Sequence, residues 1–181
     1  MQKTYLCIDL KSFYASVECV ELGLDPFKVN LVVADPTRGA GAITLAATPA
    51  IKKLGVSSRG RIFEIDPKIE YMITPPRMHL YMEYSCKVYK VFLEFIAKED
   101  IHVYSIDESF LDVTSYLKLY QVNAKELAKK MLDRIYEKTG LTATVGIGTN
   151  LYLAKIAMDI SAKHNADRIA YLNEDLYRQT L

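Results

Sequence analysis

Apolar positions recur along the chain with two periods, and Gly and Pro mark where one gives way to the other. TYLCIDL (4–10) reads as a short buried strand. SFYASVECVEL then places Phe13, Val17 and Val20 at helical spacing, with Ser12 available as N-cap and Asp25-Pro26 closing the segment. LVVAD (31–35) and GAITLA (41–46) read as strands flanking a Pro-Thr-Arg-Gly turn, and Pro49 opens a short helix, PAIKKLG, that Gly55 ends. Gly60, Pro75 and Pro76 break up the stretch before the next long element. From Met78 to Ala97 a long helix is expected, with Tyr81, Tyr84, Val88, Val91, Phe92 and Phe95 on one stripe. IHVYSI and SFLDVT are β-rich runs. NAKELAKKMLDRIYEKTG is an amphipathic helix with Asn123 as cap and Gly140 as stop, followed by a strand TATVGIG, a helix LYLAKIAMDISAK and a last strand DRIAYL.

From residue 78 the order is α-β-β-α-β-α-β. With the first strand added, this predicts an α+β fold of ferredoxin-like kind: an antiparallel-rich sheet with helices packed on one face. Residues 12–77, shorter in period and richer in Gly and Pro, form an inserted excursion. The chain of 181 residues is 50% hydrophobic and 25% charged, with 8 Gly and 6 Pro, which excludes a disordered, collagen-like or low-complexity chain. No apolar run reaches the roughly 18 to 20 residues that span a bilayer, and the start carries charges where a signal peptide would be apolar. Cys7, Cys19 and Cys86 are scattered and cannot build a disulfide framework or a cysteine-rich zinc site. A reducing cytoplasm and no membrane are the expectation.

The net charge of +1 gives no overall field for an anionic polymer, but its distribution is uneven. Between Asp35 and Glu64 there is no acid, while Arg38, Lys52, Lys53, Arg59 and Arg61 fall there. This basic island is either a ligand surface or a solvated face that lacks carboxylates. Strands joined across two residues ordinarily use Asn-Gly, Asp-Gly or a glycine pair. The connection Ile106-Asp107-Glu108-Ser109 has none and carries adjacent carboxylates instead, a departure that invites a functional explanation; an ordinary turn, or a longer hairpin pairing differently, is the alternative. Asp9 closes an apolar strand, where an unpartnered acid is costly, so it must be hydrogen-bonded, paired or metal-bound. If that strand neighbours the hairpin, three carboxylates converge with no histidine or thiolate among them, a set suited to Mg²⁺ or Mn²⁺. Two such ions can activate a hydroxyl and steady a leaving phosphate. Lys52, Lys155 and Lys163 are available to neutralise triphosphate oxygens.

IDLKSFYASVE (8–18), PAIKKLGV (49–56), YSIDESFLDVT (104–114) and TVGIGTNLYLAKIAMDISAK (144–163) together resemble, in order, the motifs of Y-family translesion DNA polymerases, and most nearly their UmuC-like (ImpB/MucB/SamB) branch. The resemblance implies a ferredoxin-like palm formed by residues 1–11 and 78–170, small fingers at 12–77, and at 171–181 the start of a link to a thumb, with thumb and little finger absent from this chain. It implies Asp9 and Asp107 as ligands shared by two Mg²⁺ ions, for which Mn²⁺ can substitute, with Glu108 completing the catalytic set and the Leu10 carbonyl adding a ligand. Tyr14 would be the steric gate beneath the incoming sugar and Phe13 its support. Lys52, Lys155 and Lys163 would bind the triphosphate. The chain departs from the archaeal members at Pro49 and Lys52, where those have tyrosine and arginine, and Lys11 replaces the second acid of the usual Asp-x-Asp.

The implied activity is template-directed transfer from a deoxynucleoside triphosphate (dNTP) to a primer 3′-hydroxyl, lesion-tolerant and of low fidelity, in the SOS DNA damage response. Primer-template DNA and dNTP are the implied partners, joined by a sliding clamp and accessory SOS proteins through the absent C-terminal region, in a cytoplasmic, nucleoid-associated setting. Without the thumb and little finger most phosphate contacts are missing, so this portion alone is expected to bind DNA poorly. A nucleotidyl cyclase would instead show a Gly-Gly-acid-acid hairpin, and a catalytically inactive homologue acting as a repair adaptor would have lost the acids.

Overall fold

The apolar run that begins at Tyr5 becomes the middle of a sheet. In the computed structural model, which describes residues 2–180, β1 (Tyr5–Leu10) pairs antiparallel with β6 (Glu108–Asp112) on one side and β7 (Ala143–Gly148) on the other. β5 (Ile101–Val103) adds antiparallel to β6, and β8 (Ile169–Leu172) adds parallel to β7, giving the order β5-β6-β1-β7-β8. Met1 and Leu181, expected at the two ends of the palm and its link, lie outside the described residues. The α+β, antiparallel-rich architecture is as expected. Among the described residues no helix is long and apolar enough to cross a membrane.

Alternation along β1 sends Leu6, Ile8 and Leu10 to one face and Tyr5, Cys7 and Asp9 to the other. Ile8 and Leu10 face Val88 and Phe92 of α3 (Met78–Phe95), whereas Cys7 and Phe110 pack with Ala154 of α6 (Leu151–Ile156) and with Met158 just beyond it. Helices therefore cover both faces, not one as the order of elements alone suggests. α6 lies very close to β7. A Cβ on Gly146 would stand 1.9 Å from the Ala154 carbonyl oxygen, and one on Gly148 2.2 Å from the Ala154 nitrogen. The two glycines of TVGIG thus let helix backbone rest directly on strand backbone.

The chain divides into two compact units, one of residues up to Leu10 and from Ser85 onward, the other Lys11–Tyr84. The division runs through α3: Tyr81 and Tyr84 are buried on its first part, Val88, Val91, Phe92 and Ile96 on and just beyond its second, with Phe95 only half-buried. In the Lys11–Tyr84 unit, α1 (Phe13–Glu21) precedes a small sheet ordered β3-β2-β4, where β2 (Leu31–Val33) pairs antiparallel with β3 (Ala46–Ala47) and parallel with β4 (Met72–Thr74). α2 (Pro49–Lys52) is capped by Thr48, whose hydroxyl accepts from the Ile51 N–H, and its Ile51 joins Val32, Ala47 and Ile65 in this unit's core.

Several local expectations change. Ser12 stands at the head of α1 in the left-handed region (φ 49°) and makes no side-chain cap. The Pro-Thr-Arg-Gly turn is a 3₁₀ segment, Pro36–Gly41, begun by Asp35, whose carboxylate accepts from the Thr37 N–H; the strand expected at 41–46 shrinks to β3. The hairpin carrying the acids is longer than two residues: Tyr104 to Asp107 connect β5 to β6, and both the Tyr104 and Ser105 N–H groups donate to the Glu108 carbonyl at 3.0 Å. No residue in that loop has positive φ, so the missing Asn-Gly is explained by loop length. α4 (Thr114–Tyr120) was not expected. α5 (Ala124–Thr139) has the predicted Asn123 cap, as a full capping box with Glu126, and the predicted Gly140 stop. The helix after GIGTN becomes a π-helical turn over Ala157–Ala162. β8 runs on to Leu172, and α7 (Glu174–Thr180) comes next, within the stretch expected as a link.

Candidate active site

β1 and β6 are in register such that Asp9 lies opposite Glu108, so the two carboxylates leave the same face of the sheet, the face that also carries Cys7. Beyond the end of β6, the Leu10 N–H donates to the Asp107 carbonyl at 2.9 Å and fixes residue 107 beside the end of β1. Strand pairing thus brings Asp9 and Glu108, about a hundred positions apart in sequence, opposite each other. α6 covers this same face, because Gly146 and Gly148 admit it, and it brings Lys155 over Glu108.

The side chains form an alternating row of charges. Lys155 Nζ donates to Glu108 Oε1 at 2.6 Å and lies 3.2 Å from Asp159 Oδ2; Lys163 Nζ donates to Asp159 Oδ1 at 2.8 Å and lies 3.6 Å from Asp9 Oδ2. The buried Cys7 thiol donates to the same Glu108 oxygen at 3.3 Å, and Ser105 Oγ donates to Asp107 Oδ1 at 2.8 Å. Burial pushes the Asp9 carboxyl up to about 6; the Lys163 charge opposes this, while Asp107 and Glu108 add to it. Burial also disfavours the charged forms of both lysines, but hydrogen bonds and ion pairs with the acids outweigh it and hold Lys155 and Lys163 above the usual lysine range. For Asp159, burial is outweighed in the same way by the two ammonium groups, which keep it below the usual carboxylate range.

Among the described residues, no group of three or more His, Cys, Asp or Glu side chains is gathered as it stands for a metal ion. Lysines occupy the carboxylates instead. The donor set nevertheless fits a hard divalent cation: Asp9 and Glu108 face each other largely shielded from water, and Asp107 and Glu108 both disfavour the ionisation of Asp9. The remaining predicted residues belong to the Lys11–Tyr84 unit. Tyr14 stacks on Tyr81 with ring centroids 4.4 Å apart and planes 13° from parallel, and Phe13 is tilted against Tyr14 at 5.6 Å. The Tyr81 hydroxyl donates at 2.7 Å to Glu18, a buried carboxylate that Arg77 also grips through Nε at 3.1 Å and Nη2 at 2.5 Å. Lys52 Nζ donates to Ser12 Oγ at 3.0 Å. Of the basic island, Arg61 donates to the Gly41 carbonyl at 2.7 Å and Arg38 lies 3.5 Å from Asp35, so part of its charge serves the local fold.

Sequence reasoning missed two members of the cluster. Asp159 was signalled by its spacing, four residues after Lys155 and four before Lys163, the distance at which helical side chains meet. Cys7 was signalled by strand alternation, two residues before Asp9.

A sheet of this topology, with acids at the end of its central strand and on the adjoining hairpin, defines a palm of the polymerase kind. The chain belongs to the impB/mucB/samB family, whose pattern matches residues 8–159. It is 37% identical over 178 residues to a Bacillus subtilis (strain 168) protein named DNA polymerase IV 2, an alignment covering 96% of this chain and 42% of that one. Its fold superimposes on a Y-family DNA polymerase chimera, Dbh-Dpo4(243-245)-Dbh, and on Dbh DNA polymerase in an insertion ternary complex. For each the TM-score is 0.79 at 27% identity, over 97% of this chain and 50% of the other. The chain spans about two fifths of the length of the proteins named DNA polymerase IV 2 to which it is similar.

Proposed function

We propose that this chain is the palm-and-fingers portion of a lesion-bypass DNA polymerase, which carries out template-directed nucleotidyl transfer from dNTP to a primer 3′-hydroxyl. The observation that carries the reading is the pairing of Asp9 opposite Glu108 on one face of the sheet, each held by a lysine, with Asp107 fixed beside the end of β1, in a member of this family. The relatives named DNA polymerase IV and the ternary complex of a neighbour support DNA and dNTP as ligands.

Asp9, Asp107, Glu108 and the Leu10 carbonyl would hold two Mg²⁺ ions. Bound there, the ions supply Lewis acidity for the primer hydroxyl and charge neutralisation for the phosphates. The chain's own groups do the rest. The acids present acceptor oxygens from rigid strand ends, and Lys155 and Lys163 offer ammonium groups that can turn from carboxylate to triphosphate oxygens on one face. Lys52, a point charge where a guanidinium fork would chelate, contributes a less directional contact from the fingers. Tyr14, braced by Phe13 and by Tyr81 on its Glu18 anchor, presents a fixed ring against the sugar and excludes a 2′-hydroxyl.

The residues 1–11 and 78–170 act as palm and 12–77 as fingers, and the protein works in the SOS response at the nucleoid, with a sliding clamp reached through segments outside this chain. The test is primer extension across an abasic template by a full-length polymerase polypeptide that carries this chain, not by the chain alone. Extension that Asp107→Ala abolishes is expected; extension unchanged in that variant overturns the site, and absence of any nucleotide incorporation favours a repair adaptor.

A further inference from the structure

Two lysines and three acids alternate across the sheet face, and the middle acid is not one of the candidate metal ligands. Asp159 lies on the π-helical turn Ala157–Ala162, four residues from each of Lys155 and Lys163 and paired with both. The distances are unequal. Lys163 Nζ is nearer to Asp159 (2.8 Å) than to Asp9 (3.6 Å), and Lys155 Nζ, 2.6 Å from Glu108, is also held at 3.2 Å by Asp159. Lys163 in particular stands off from Asp9, and the group that holds it there is Asp159.

We propose that Asp159 is a positioning residue of this cluster: by drawing Lys163, and in part Lys155, away from Asp9 and Glu108, it sets how readily a divalent cation displaces the lysines from the carboxylates. This rests on the reading of Asp9, Asp107 and Glu108 as a metal site. An ammonium group and a divalent cation compete for the same oxygens, and a third carboxylate that engages the ammonium group shifts the competition toward the cation. When the cation enters, the lysines keep a carboxylate partner and need not be left as unpaired, half-buried charges. A structural salt bridge would have no such link to cation affinity.

The experiment is Mn²⁺ binding to the whole chain, followed by the loss of the free-ion electron paramagnetic resonance signal, for the parent, Asp159→Ala, Lys163→Ala, the double variant and Asp107→Ala. Asp159→Ala is expected to weaken Mn²⁺ binding roughly five-fold, within the range of couplings inside one salt-bridge network. Lys163→Ala is expected to tighten it, and in that background the effect of Asp159→Ala should shrink to the loss of one remote charge. Equal effects of Asp159→Ala with and without Lys163 overturn the proposal, because the lysine is then not the intermediary. Asp159→Asn, of the same size, serves if the alanine variant unfolds. Failure of the parent to bind Mn²⁺, or equal binding by Asp107→Ala, overturns the metal-site reading itself and is distinguished in that way.

Discussion

Asp9→Asn should make the protein more stable at neutral pH while removing its chemistry. In the unfolded chain this carboxyl ionises near 3.8; in the folded protein burial, with Asp107 and Glu108 nearby, pushes it up to about 6 despite Lys163. Between those pH values the folded state keeps a proton that the unfolded state has released. Stability therefore falls as pH rises from about 4 to about 6, and above that it stays at its lowered level. At 1.36 kcal/mol per pH unit the interval is worth about 3 kcal/mol, an upper value because the side chain is 21% exposed. Asparagine cannot ionise, so the variant lacks this descent. Urea denaturation of both proteins from pH 4 to pH 8, with chelator present, should give curves that meet at the acid end and separate by about 2 to 3 kcal/mol above pH 6. Mg²⁺ should then raise the stability of the parent and leave the variant unmoved, because a ligand that binds only the native state stabilises it, by RT ln(1 + [L]/Kd). A pH-independent difference, or a variant less stable at pH 7, refutes the reasoning.

Other consequences rest on single contacts. Gly146→Ala would force a methyl group into the Ala154 carbonyl oxygen, so a loss of roughly 3 kcal/mol in urea denaturation is expected, and a near-neutral result contradicts the close approach of α6 to β7. Arg168 occupies the left-handed region at φ 59° and its Nε has no partner; Arg168→Gly should raise stability by about 1 kcal/mol, read from the urea midpoint, and a drop would show that the side chain contributes something its contacts do not reveal. Glu18→Ala leaves the Tyr81 hydroxyl buried and Arg77, itself half exposed, unpaired. A loss of roughly 2 kcal/mol is expected, with faster quenching of tyrosine fluorescence as the Tyr14 stack loosens, and unchanged stability would refute the anchor.

The elements legible in the sequence were those that local physics decides. The α5 boundaries were legible because Asn123, Glu126 and Gly140 are capping residues whose partners lie within one turn. β1, β7 and α3 were legible because their apolar period is long enough to be unambiguous. β4 was not: it is three residues long, largely exposed, set just before prolines, and exists through its pairing with β2, some forty positions away. The π-helical turn depends on how α6 seats on β7, and no residue within it announces the extra residue per turn. Asp107 and Glu108 stood out because a two-residue turn would have lacked its usual residues, and the structure takes the other reading the sequence left open, a longer hairpin. The place of Glu108 opposite Asp9 is a matter of strand register, which the motif order suggested and single-residue patterns could not.

Anomalous diffraction from crystals grown with Mn²⁺ and a deoxynucleoside triphosphate addresses the central claim most directly. The account predicts a manganese peak coordinated by the carboxylates of Asp9 and Asp107, with the Lys163 ammonium group turned toward phosphate. Manganese bound elsewhere, with Lys155 and Lys163 still closed on Glu108 and Asp9, would contradict it.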